Sequence, residues 1–279
     1  MRIDAHQHFW RPARGDYGWL TPAAHPAICR DFGPEDLAPL LRQTGIQKTV
    51  LVQAAPTEAE TRSLLDIARA TPFVAGVVGW VDLTATDAAA RIHALAEDRA
   101  LLGLRPMLQD LDDDSWVLRP ELAPALDAME ELGLAFDALV KPRHLPHLAR
   151  FIAARPRLAI VIDHGAKPDI AGGELAAWAR DIRAIGRNSA VHCKLAGLPN
   201  EAAPGWRTAD LRPCADVLLE AFGADRLMWA SNWPVADEAG GYAAWHAAAT
   251  ELVAGCSPQD RDLIFGGTAA AFYGIGACG

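Results

Sequence analysis

The chain has 279 residues, 51% of them hydrophobic, and 26 basic against 35 acidic side chains give a formal net charge of -9. That much apolar material excludes a disordered chain and suffices for one large core. The negative balance argues against nucleic acid as a partner, because it repels a polyphosphate backbone at long range. No apolar run reaches the length needed to span a bilayer, and the chain enters a strand-like run at Arg2 with no basic and then apolar leader ahead of it. A cytoplasmic protein with no membrane role is the expectation. Five cysteines (Cys29, Cys193, Cys214, Cys256 and Cys278) are odd in number and widely spaced, which speaks against a disulfide framework or a zinc knuckle.

Eight short runs rich in Val, Ile and Leu read as strands: Arg2 to His6, Lys48 to Gln53, Phe73 to Trp80, Leu101 to Arg105, Leu134 to Val140, Leu158 to Asp163, Ala190 to Leu195 and Arg226 to Ala230. Amphipathic stretches lie between them, among them Pro34 to Gln43, Glu58 to Ala70, Ala88 to Asp98, Glu121 to Leu132 and Leu211 to Phe222. Strand and helix therefore alternate, which implies parallel pairing. Val50-Leu51-Val52 and Ile160-Val161-Ile162 are apolar on successive residues, as expected for strands buried on both faces. No linker divides the chain, so the expected fold is a single-domain α/β (β/α)8 TIM barrel over residues 1–279. An open doubly wound sheet is the second choice, weakened by the absence of its glycine fingerprint. The segment Phe9 to Pro34 is long for a strand-to-helix connection and carries Trp10, Tyr17, Trp19 and His25, which suggests a loop covering a pocket.

In such a barrel the C-terminal strand ends hold the active site. Strand one delivers Asp4-Ala5-His6-Gln7-His8, and alternation along an extended chain puts His6 and His8 on one face, where they can share a metal. Strand six delivers Asp163-His164-Gly165, and strand eight Ser231-Asn232-Trp233-Pro234. His6, His8, His164 and Asn232 are thus the candidate catalytic set. The three histidines suit one divalent ion with positions open for water or substrate. Arg105, Lys141 and Lys194 end strands four, five and seven, giving a cationic mouth suited to a carboxylate or an oxyanion. Trp19 and Trp80 fall near the same rim, and each serves equally as a sugar-stacking face or as core packing.

These motifs, with Val78-Gly79-Trp80-Val81-Asp82-Leu83, Gly103-Leu104-Arg105, Cys193-Lys194-Leu195-Ala196-Gly197-Leu198 and Arg226-Leu227-Met228-Trp229-Ala230-Ser231-Asn232-Trp233-Pro234-Val235, resemble the sugar-lactonase branch of the amidohydrolase superfamily along most of the chain. The resemblance implies hydrolysis of an aldonolactone, with His6, His8 and His164 in the place of the metal- or substrate-polarising histidines. Two positions depart from the superfamily. Where it usually has a proton-accepting aspartate on strand eight, this chain has Asn232, whose amide cannot accept a proton at neutral pH. The change is a natural variant served by another base, an inactivating substitution, or a mark of lost hydrolysis. Other carboxylates and bases nearby are Asp82, Asp163, His192 and Asp237. Where dinuclear members place a lysine carbamate on strand four, this chain has Arg105, so a single zinc or manganese, or no metal, is expected in place of two. The partner is a small-molecule sugar lactone, and the alternatives to hydrolysis are a lactone isomerase or a ligand-binding relative. Oligomeric state is left open.

Overall fold

The computed structural model describes residues 1–276. Eight parallel strands follow one another around the sheet in sequence order: β1 (Ile3–Gln7), β2 (Lys48–Val52), β3 (Val74–Gly79), β4 (Leu101–Leu104), β5 (Ala135–Ala138), β6 (Ile160–Ile162), β7 (His192–Leu195) and β8 (Leu227–Trp229). The sheet closes on itself beyond the last rungs, where Asn232 N–H donates to His6 O at 2.9 Å and His8 N–H to Trp233 O at 2.7 Å. Each of the eight expected runs supplies one of these strands, so the barrel stands and the open sheet does not.

Helices α1 (Pro34–Thr44), α2 (Glu58–Ala70), α3 (Ala88–Ala96), α4 (Ala123–Leu132), α5 (Leu145–Ala154), α6 (Ala176–Asn188), α7 (Leu198–Glu201), α8 (Thr208–Arg226), α9 (Gly241–Leu252), α10 (Pro258–Asp262) and α11 (Thr268–Tyr273) complete the chain. Their starts and stops follow local chemistry. Thr57 caps α2 by accepting from Glu60 N–H, and α1 ends at Gly45, whose φ of 71° is the left-handed conformation glycine adopts without steric cost. Among the described residues no helix is long and apolar enough to cross a membrane. Cys29, Cys193, Cys214 and Cys256 are free thiols, and Cys278 lies outside the described residues.

Two apolar regions result. One lies between the strands and the surrounding helices. The other fills the lower barrel interior with Ile3, Ala5, Val50, Val52, Val78, Val161 and Met228, closed off by Ala269 and Tyr273 of α11. Ile3 and Ala5 therefore point inward, and so does His6, which meets Asp163 and Lys194. Alternation slips by one residue at this point. The pairing with β2 records the slip, since Asp4 faces Thr49 whereas Gln7 faces Leu51. A bulge of this kind re-aims the side chains beyond it. It brings His6 and His8 onto the interior face that Ile3 and Ala5 already occupy.

Candidate active site

Above the apolar layer the barrel interior turns polar. The His6 and His8 rings meet edge to face, with their Nε2 atoms 3.1 Å apart, and the His6 and His164 ring centroids lie 4.5 Å apart. All three histidines are buried. His8 donates Nδ1–H to Val52 O at 2.8 Å, which leaves Nε2 as its lone-pair nitrogen. Burial, then the neighbouring Arg105 cation, pushes the pKa of His8 down to about 3, so its ring is neutral at physiological pH. Burial likewise lowers His6 and His164 well below the ordinary histidine range.

His164 stands on an unusual turn. His164, Gly165, Ala166 and Lys167 have φ of 54°, 56°, 61° and 51°, four successive residues in the left-handed region. Each non-glycine residue there costs about 1–2 kcal/mol, so the turn is strained and is held by its surroundings. Gly197 is part of that hold. A Cβ at this position, disfavoured already by its φ of 67°, would stand 3.0 Å from His164 Nδ1 and press on the ring.

Arg105 is fixed by a reciprocal clamp with Gln53. Its Nη2 donates to Gln53 O, and Gln53 Nε2 donates to Arg105 O at 2.7 Å. Its Nη1 lies 3.3 Å from His6 Nε2 and 3.4 Å from Asp163 Oδ2, while its buried Nε has no hydrogen-bond partner among the described residues. Asp163 sits between the cations and the histidines. Burial alone would raise its pKa, but Lys194 and then His6 outweigh burial and hold it well below the usual carboxylate range. It is thus an ionised orienting group. Asn232, at φ 58° in a conformation asparagine tolerates better than most residues, brings its side chain within hydrogen-bonding reach of His8.

The expectation of a mouth lined by three cations needs correction. Lys194 is 0% exposed, paired with Asp137 and Asp163 inside the barrel, because an ammonium this deep requires carboxylate partners. Lys141 is exposed on the rim. The cation that sequence reasoning missed is Lys167, which ends the left-handed turn 3.8 Å from Glu201 and whose pKa burial lowers. Gln53 and Asp137 were also missed. The signal for Asp137 was available, since a carboxylate in the apolar run Leu134 to Val140 needs a buried partner.

Trp19 and Trp80 line a cleft of 690 Å³ at the same end of the barrel, together with Trp116, Met107 and Asp82. The histidines lie beside this cleft and not on its walls. Asp82 accepts from Thr84 Oγ1 at 2.6 Å, and His192 packs at a 45° tilt against Phe272 at the opposite end of the barrel, away from the site. The long first loop spans the mouth. Trp19 Nε1–H donates to Ala54 O at 2.8 Å on one side, and His25 Nδ1 lies 3.0 Å from Glu238 Oε1 on the other.

Comparison with known proteins places this architecture. The amidohydrolase family model matches residues 3–275. An L-fucono-1,5-lactonase of Burkholderia ambifaria is 51% identical, the match covering 99% of this chain and 96% of that protein. Another L-fucono-1,5-lactonase, from Burkholderia multivorans, is 36% identical over the same shares, 99% and 96%. A crystal structure of an amidohydrolase from Burkholderia multivorans with bound zinc superposes at a TM-score of 0.92 with 35% identity, covering 99% of each chain. A match over nearly its whole length, on a barrel that superposes on a solved amidohydrolase, makes this chain a member of the amidohydrolase family.

Proposed function

We propose that this protein hydrolyses a sugar lactone, an aldono-1,5-lactone of the kind its relatives are named for, to the open-chain acid. The observation that carries the reading is the juxtaposition of Arg105, its Nε unpartnered and buried, with three neutral histidines at the C-terminal end of the barrel. In a site this dry, a fixed guanidinium stabilises the oxyanion that forms when water attacks a lactone carbonyl. Asn232 holds and orients the water through its amide, which does not take a proton, and the proton that the water loses ends on the departing ring oxygen. The ring oxygen then departs as the product hydroxyl. Trp19 and Trp80 offer faces for the sugar, and Lys141 and Lys167 supply rim charge for the carboxylate that appears.

The donor set fits one divalent cation. His164 Nδ1 is buried without a hydrogen-bond partner among the described residues, ligand atoms of His6, Asp163 and His164 all lie within 4.8 Å of one another, and His8 adjoins that group through its Nε2, 3.1 Å from His6 Nε2. His6, His8 and His164 would hold zinc or manganese, which supplies Lewis-acid polarisation of the carbonyl. The four described free thiols accord with a reducing cytoplasm.

A panel of sugar lactones followed by a pH indicator, with and without added zinc or manganese, tests the reading, and NMR identifies the product. Acid release from L-fucono-1,5-lactone is expected. A rearranged lactone with no acid released would assign an isomerase instead, and tight binding without turnover would assign a ligand-binding protein.

A further inference from the structure

A buried ion cluster lies directly beneath the histidines, and two of its members, Lys194 and Asp137, have no part in the chemistry above. The Lys194 ammonium lies 2.5 Å from Asp137 Oδ2 and 3.0 Å from Asp163 Oδ1, and Tyr273 of α11 donates its hydroxyl to Asp137 at 2.9 Å. The same ammonium is 3.2 Å from His6 Nδ1. An ammonium can only donate, so this contact needs a lone pair on Nδ1 and places the ring proton on Nε2. Asp163 Oδ1, 3.3 Å from the same nitrogen, can only accept and favours the opposite tautomer, as does Arg105 Nη1 at 3.3 Å from Nε2.

The neighbours on the far side decide between them. His8 donates Nδ1–H to Val52 O, so its Nε2 is an acceptor facing His6 Nε2 at 3.1 Å. A proton on His6 Nε2 completes a run in which Lys194, His6, His8 and Val52 each donate to the next. Those contacts, at 3.2, 3.1 and 2.8 Å, are shorter than the two that oppose them. A nitrogen that carries a proton cannot ligate a cation.

We propose that Lys194 is a positioning residue that holds His6 in the Nε2–H tautomer and thereby weakens the grip of the histidine cluster on a divalent cation. The inference rests on the reading of His6, His8 and His164 as the ligand set. Without Lys194, His6 Nδ1 keeps only the Asp163 carboxylate as a polar neighbour, takes the proton itself and frees Nε2.

Two measurements on the whole protein test this: long-range ¹H–¹⁵N spectra of the imidazoles, which report the tautomer without any cation, and zinc affinity by competition with a chelating dye. In the unaltered protein the His6 Nδ1 signal should be that of an unprotonated nitrogen. Lys194→Met should move the proton to Nδ1 and tighten zinc binding by about tenfold or more, since it also removes a buried positive charge beside the ion. Lys194→Arg should leave the dissociation constant within about threefold. Should the methionine variant not fold, because Asp137 is left without its cation, the paired change Lys194→Met, Asp137→Asn carries the same expectation for the tautomer and a smaller tightening. A proton on Nδ1 of the unaltered protein, or unchanged or weaker zinc binding in the folded variants, overturns the proposal. If zinc binds neither the unaltered protein nor the variants, the ligand-set reading fails, and the spectra still decide what Lys194 does to His6.

Discussion

The lower and upper halves of the barrel interior are built on the same strands by opposite means. Below, Val50, Val52, Val78 and Val161 meet Ala269 and Tyr273 in a layer with regular alternation, where stability comes from apolar burial. Above, His6 and His8 owe their direction to a bulge, His164 to four left-handed residues, and Arg105 and Lys194 to the carboxylates of Asp163 and Asp137. The lower half is ordinary for its sequence. The upper half departs from local preference at nearly every functional residue, and the regular layer beneath supplies the stability that permits this.

The contrast can be broken most sharply at Arg105. Arg105→Met should lower kcat/KM by about 10³-fold or more with a cooperative unfolding transition retained, because it deletes the oxyanion donor from a dry site; kinetics on the best lactone give the value, and a loss below tenfold would move that role elsewhere. Val161→Ala, in the lower layer, should cost about 2 kcal/mol of stability by denaturant titration and leave kcat within about twofold. A matching fall in kcat would show that the two halves are not separable. Asn232→Asp sharpens the charge argument. Two buried cations, Arg105 and Lys194, already balance Asp137 and Asp163, so a third carboxylate is uncompensated and should reduce turnover about tenfold. A rise in turnover would instead identify position 232 as the site of a missing base. The smallest effect is expected from Ala166→Gly, which relieves one left-handed residue and should raise stability by about 0.5–1 kcal/mol; a thermal midpoint that falls would mean the alanine methyl contributes more than its backbone costs.

Most of the fold was legible in the sequence because strands buried on both faces leave continuous apolar runs, and helix boundaries such as Glu58–Ala70 coincide with capping residues. The observed strands are shorter than the runs: β6 is Ile160–Ile162, since Asp163 already starts the turn that carries His164. The His6–His8 spacing was readable as a shared face, but which face was not, because the bulge is set by pairing with β2 and leaves no mark in the motif. Lys194 was misplaced for a related reason. Its depth depends on Asp137 and Tyr273, residues 57 and 79 positions away in the chain, and no local pattern joins the three.

The extra residue in β1 divides point changes from changes of length. A substitution at Ala5 alters packing beside the site and leaves the histidines where they are. Deleting Ala5 removes the extra residue and with it the bulge: Ile3 then points in and Asp4 out, and His6 and His8 keep the interior face by plain alternation, because the side-chain period of a strand is two. Straightening the strand with all its residues kept would instead put Gln7 inward and turn both histidines toward the helices. A one-residue difference in length ahead of the histidines therefore decides whether β1 must be bulged to aim them inward, and leaves their direction unchanged.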